Sequence, residues 1–188
     1  MRMLVNAAAA SLLMTGVAAA QPATSPYAGL EARPVKALSD QQIADLRAGR
    51  GMGMALSAEL NGYPGPIHVI EHAPELALSH DQRARMDELY AAMKAEAVPL
   101  GERLIAQESE LERQFAARTV TPDSLAAATR AIGETQASLR AAHLKYHLST
   151  AAALSPAQVQ RYVELRGYTA ATPVAGRHGG HAHPAHRN

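Results

Sequence analysis

The chain has no cysteine, no tryptophan and a single phenylalanine among its 188 residues. Without cysteine there can be no disulfide, no lipid-modified cysteine and no thiolate ligand, so a bound metal must be held by histidine, carboxylate or methionine. Without large aromatics a thick sandwich-type core is hard to fill, whereas an alanine-rich chain suits helices packed closely along thin seams. An excess of charge is lacking too: 18 Lys and Arg stand against 17 Asp and Glu. That balance offers no electrostatic footprint for nucleic acid. The apolar run from about Leu4 to Ala19 is shorter than the roughly 20 residues a membrane span needs. Arg2 precedes it and Ala18-Ala19-Ala20 follows it. Residues 1–20 therefore read as a secretory signal cleaved after Ala20, and the protein as exported to the periplasm.

What is present is helical signal. Residues 21–37 are rich in Ala and Pro without clear periodicity and are expected to form an extended N-terminal arm. Ser39 then reads as an N-cap with Gln42 three helical positions on, a capping box, and Leu38 and Ile43 can form the hydrophobic staple. The helix it opens is expected to run towards Leu60, frayed or bent near Gly49, Gly51 and Gly53. Asn61-Gly62-Tyr63-Pro64-Gly65-Pro66 breaks it, and a short helix follows, limited by Pro74. Ser79 and Gln82 repeat the box and open the longest helix, to about Arg118, with a stripe through Met86, Tyr90, Met93, Ala97, Leu100, Leu104, Leu111 and Phe115. Pro99 is expected to kink this helix without ending it, because the stripe keeps phase beyond it.

Thr121 and Pro122 open the next helix as N-cap and first residue, and Leu125, Ile132, Leu139, Tyr146 and Ala153 recur at strict sevens. Two facing stripes across a short turn predict an all-α fold built on a long antiparallel helical hairpin with shorter flanking helices, four or five in all. A third box, Ser155 to Gln158, opens a last helix that Gly167 can end. The helical domain is thus expected over residues 38–168. Residues 169–188, made of Ala, Gly, Pro and His without a core-forming pattern, are expected to be a disordered His-rich tail.

Two histidine pairs carry the chemistry. His143 and His147 stand four residues apart on the long second arm, and His68 and His72 repeat the spacing on the short helix. Residues i and i+4 share one helical face, so each pair can offer two neutral ring nitrogens to a Zn, Ni, Co or Cu ion. With the hairpin turn near residue 120, simple register sets His143 and His147 opposite Ala97 and Met93, with Glu96 close by. His68-Val69-Ile70-Glu71-His72 also matches an inverted zinc-peptidase pattern. That chemistry needs a third protein ligand and a walled substrate cleft, which two turns between prolines do not supply, so the chain does not read as an enzyme. The tail adds His178, His181, His183 and His186, a tract of the metal-binding kind. Met52 and Met54, flanked by glycines, fit either core filling at the bend or an adaptable apolar surface.

Three Leu-Ser-x-x-Gln boxes (Leu38–Gln42, Leu78–Gln82 and Leu154–Gln158), an export signal and a long helical hairpin together resemble the LTxxQ family of periplasmic proteins, over residues 38–168. That family contains the Spy/CpxP-like chaperones and their heavy-metal-resistance and metal-sensing relatives. The resemblance implies a dimeric α-hairpin and two roles. One is metal binding in envelope heavy-metal sensing or resistance, with a membrane signalling partner. The alternative is an ATP-independent holdase for unfolded clients in envelope stress. It further implies a metal set of His68, His72, Glu88, His143 and His147. His147 departs from the His-x-x-x-Met pair of the nickel and cobalt sensors, which leaves the metal open; hairpin register favours Met93 or Glu96 over Glu88.

Overall fold

The computed structural model describes residues 25–168. The expected signal at 1–20 and the His-rich tail at 169–188 lie outside the described residues. Residues 25–32, a unit of their own, form turns and a short 3-10 helix, Leu30–Ala32. In the second unit, Val35 is buried and Lys36 pairs with Glu112 at 2.5 Å.

The rest is all-α, with no strand among the described residues and six α-helices where the sequence suggested four or five. They are α1 (Asp40–Ala48), α2 (Leu56–Glu59), α3 (Pro66–Glu71), α4 (His80–Ala116), α5 (Pro122–Ala152) and α6 (Pro156–Leu165). The extra helix comes from the glycines: α1 ends where Gly49 turns left-handed at φ 65°, and the chain re-enters helix only at Leu56. Gly49 caps the end by donating its N–H back to Asp45 and Leu46 carbonyls, so the helix is closed rather than bent. α4 runs unbroken through Pro99. No helix among the described residues is long and apolar enough to cross a membrane.

The capping boxes form as their sequence spells them: Ser39, Ser79 and Ser155 each accept the N–H of the glutamine three on, whose side chain accepts the serine N–H in return. Two of them also interlock. Each carboxamide of Gln82 and Gln158 donates to the other at 2.9 Å, and each also donates to a carbonyl, Ala153 for Gln82 and Leu76 for Gln158. The starts of α4 and α6 are thereby tied to each other and to the end of α5. A glutamate would cap as well but has no N–H to give, which is a physical reason for glutamine at both positions.

α5 packs along α4. Gln82 near the start of α4 meets Ala153 just past α5, and Glu96 in mid-α4 meets Lys145 and Tyr146. Two core clusters lie along these helices. Leu46 of α1 joins Ala97, Leu104 and Ile105 of α4 and Ile132 and Leu139 of α5. Val69 and Leu76 join Met86, Leu89 and Met93 of α4, Tyr146 of α5, and Leu154 and Tyr162 around α6. α1 comes so close to α4 that a Cβ at Gly101 would lie 2.5 Å from the Leu46 carbonyl oxygen. The expected stripes hold until the turn near 117–121, where Phe115 and Leu125 are exposed.

Candidate functional site

His143 and His147 fall one turn apart on α5, and both rings are buried, 3% and 8% exposed. They line a cleft of about 250 Å³ together with His68 of α3, Met93 of α4, and Met52 and Gly51 from the loop between α1 and α2. The cleft exists because α5 carries the rings towards two glycine-rich loops that can approach them without side chains. A Cβ at Gly65 would lie 3.1 Å from His147 Nε2, and one at Gly51 would lie 3.6 Å from His143 Nδ1.

The two rings differ in how they are held. His147 Nδ1 lies 2.7 Å from the Tyr63 carbonyl. A carbonyl only accepts, so Nδ1 carries the proton, and in the neutral ring Nε2 keeps its lone pair. This is the arrangement by which metal-ligating histidines are oriented, one nitrogen donating to a carbonyl and the other free to bind. His143 Nε2 is buried with no hydrogen-bond partner. Burial, then the nearby His147, pushes the His143 imidazole pKa below its ordinary value, so this ring is held neutral. A buried polar nitrogen without a partner calls for an explanation, and the other nitrogen of this ring, Nδ1, is the one that stands beside the cleft-lining Gly51.

Glu59, at the end of α2, closes one side of the cleft and is itself 6% exposed. One carboxylate oxygen accepts from the Tyr162 and Tyr168 hydroxyls, with Arg166 Nε at 3.5 Å, and the other accepts the Gly65 N–H at 3.3 Å. Burial and then the bond to Glu59 push the Tyr162 pKa far up, so its hydroxyl stays a donor. This carboxylate therefore binds α6 and the Gly65 loop around the histidines. Sequence reasoning missed it, because its partners lie far along the chain and nothing local marks it.

Of the other candidates, His72 caps the end of α3 and packs edge-on against Tyr162, ring centroids 6.5 Å apart, away from the cleft-lining residues. Glu88 is exposed on α4, paired with Arg85 at 3.0 Å, and does not line the cleft. Glu96 binds Lys145 at 2.5 Å and accepts the Tyr146 hydroxyl at 2.7 Å, which pushes the Tyr146 pKa up to about 12. The cleft thus unites His68, His143 and His147 with Met93 and leaves His72 and Glu88 outside. Among the described residues no three His, Asp or Glu side chains stand together as a ready cage for an ion. The donors fit a metal by type and tautomer, without forming a closed tetrahedral His and carboxylate set.

Comparison with protein-family models, with curated proteins and with solved structures yields no match.

Proposed function

We propose that the protein is a non-enzymatic periplasmic metal-binding protein of the LTxxQ type, acting in envelope heavy-metal sensing or resistance as a dimer built on a long antiparallel helical hairpin. The observation that carries this reading is the pair of α5 histidines. His147 has its Nδ1–H fixed on a backbone carbonyl, and His143 has a buried ring nitrogen without a partner, both on one cleft. A transition-metal ion there would supply positive charge to satisfy both rings, with His143 and His147 as its principal ligands and His68 as a third donor from a different element. His68 is half-buried and bonded to Glu71 at 3.0 Å, so it is the least enclosed of the three rings that line the cleft. Turning the His68 ring onto the ion changes the surface around the cleft, which is how ion binding would reach a signalling partner.

The test is titration of the full exported chain with Zn, Ni, Co and Cu ions, comparing it with His143→Ala/His147→Ala. The histidines of residues 169–188 are the same in both, so a difference isolates His143 and His147. The variant is expected to lose the tightest binding event; equal binding by both proteins contradicts the reading.

A holdase is the second reading, favoured by exposed apolar side chains beside the site: Met52, Leu56, Leu60 and Tyr63 in one stretch of chain, and Leu148 next to His147. Its test is suppression of client aggregation by metal-free protein, and no suppression at several-fold excess rejects it.

A further inference from the structure

The cleft holds two thioethers as well as its imidazoles. Met93 is a core residue of α4, 6% exposed, whose position on the seam brings it to the α5 histidines. Met52 is a different case. It is 41% exposed, so core packing does not account for it, and it lines the cleft from the α1–α2 loop. Its backbone is left-handed, φ 44°, although glycines stand on both sides of it. A non-glycine residue in that region is strained, and such strain persists where the surrounding structure requires it. Its neighbour Met54, by contrast, packs against the apolar cluster of α1, α4 and α5.

The hard donors near the cleft are already engaged. Glu59 accepts hydrogen bonds on both of its oxygens, and Glu71 is bonded to His68. No three His, Asp or Glu side chains form a closed cage among the described residues, and the cleft sulfurs are the donors that can complete the shell its imidazoles leave open. We infer that the cleft selects a soft monovalent ion, copper(I), using the Met52 and Met93 sulfurs with the His143 and His147 rings. This rests on the metal-binding reading above and specifies its ion. Thioether is a neutral, polarisable donor that favours copper(I) over zinc, nickel or cobalt, which prefer imidazole and carboxylate. Copper(I) also accepts the low coordination number that an open set of donors provides. The proposal involves binding alone, with no change in the ion's oxidation state.

The experiment uses the full exported chain with carbon-13 in its methionine methyl groups. Silver(I), a redox-inert analogue of copper(I), is titrated in, and the methyl resonances are followed. Met52 and Met93 are expected to shift together while Met54 and Met86 stay in place. In parallel, Met52→Leu/Met93→Leu, a volume-conserving change, is expected to weaken copper(I) in an anaerobic competition with a chromophoric chelator by roughly tenfold or more, and to leave zinc affinity unchanged. Unmoved Met52 and Met93 methyls, or undiminished copper(I) affinity in the double variant, overturn the inference. If zinc, nickel or cobalt still bind in a manner that His143→Ala/His147→Ala abolishes, only the choice of ion falls. If no ion perturbs either the histidines or the methionines, the metal-binding reading falls with it.

Discussion

Two stretches of the same pair of helices bury very different material. Alongside α1, α4 and α5 meet through Leu46, Ala97, Leu104, Ile105, Ile132 and Leu139, an aliphatic cluster. Towards α3 and α6 they enclose Glu59, His143, His147 and the Tyr162 hydroxyl beside the methionines and aromatics. The first arrangement stabilises by removing apolar area from water and needs no partner chemistry. The second carries desolvated polar groups, each of which costs free energy unless it is hydrogen-bonded. Most are bonded, through the Glu59 oxygens, the Tyr63 carbonyl and the Gln82–Gln158 pair; His143 Nε2 and the Thr150 hydroxyl are not. The difference separates an aliphatic part of the core from the part on which the metal-binding proposal rests.

The contrast can be broken by substitutions that read stability and ion affinity together. Leu139→Ala, in the aliphatic cluster and 3% exposed, is expected to lower unfolding free energy by about 2–5 kcal/mol with ion affinity unchanged. Urea unfolding and metal titration of the same sample check both halves, and a matching loss of affinity would merge the two regions into one. Glu59→Ala leaves the Tyr162 hydroxyl buried without its acceptor and is expected to cost about 1–3 kcal/mol. Here affinity should fall too, because the Gly65 loop beside His147 loses its anchor. Unchanged affinity in this variant would mean that the loop is held by other contacts.

Gln82→Glu probes the interlocked boxes. The cap is kept, but the donors to Gln158 and Ala153 are lost, for an expected cost of about 1–2 kcal/mol at neutral pH and less in acid, where the carboxyl can donate again. Thermal melts at two pH values distinguish this from loss of the cap, which would be insensitive to pH.

The smallest effect is the pH dependence of the metal-free protein. His143 has a folded pKa below its ordinary 6.5, so the unfolded chain binds a proton that the folded one resists. Stability is complete above 6.5 and declines as pH falls below it. Glu96, held below the ordinary 4.5 by Lys145 and then by Tyr146, adds a further decline in more acid solution as pH drops through its folded value. In a urea series across this range, His143→Gln should remove the upper decline and leave the lower one.

Much of the fold was legible because it is written locally. Each serine cap with its glutamine fixes a helix start, and the stripes at threes, fours and sevens identify α4 and α5 to within a residue or two of their ends. The glycines after Ala48 were legible as a weakness, although their consequence, a left-handed cap and a separate helix, depends on backbone geometry. The site was half-legible for equally physical reasons. The i and i+4 rule works for His143 and His147, which lie within one continuous helix. His68 and His72 keep the one-turn spacing, the His72 N–H donating to the His68 carbonyl at 3.3 Å, but their rings part, His68 lining the cleft and His72 packing on Tyr162. Register from the turn near residue 120 offered Met93 or Glu96: Met93 lines the cleft, whereas Glu96 is bound by Lys145 and Tyr146. Glu88, which the resemblance implied, faces solvent while its neighbours Met86 and Leu89 face inward. Glu59 was hidden, since its burial is created by Tyr162, a residue 103 positions away.

The most direct measurement is the histidine ring nitrogen-15 spectrum of residues 21–188, recorded before and after an ion is added. The account predicts that His147 is an Nδ1–H tautomer in the metal-free protein and that its Nε2 resonance, with one nitrogen of His143, moves sharply on binding. A His147 ring protonated on Nε2, or two rings that do not respond while the tail histidines do, would contradict it.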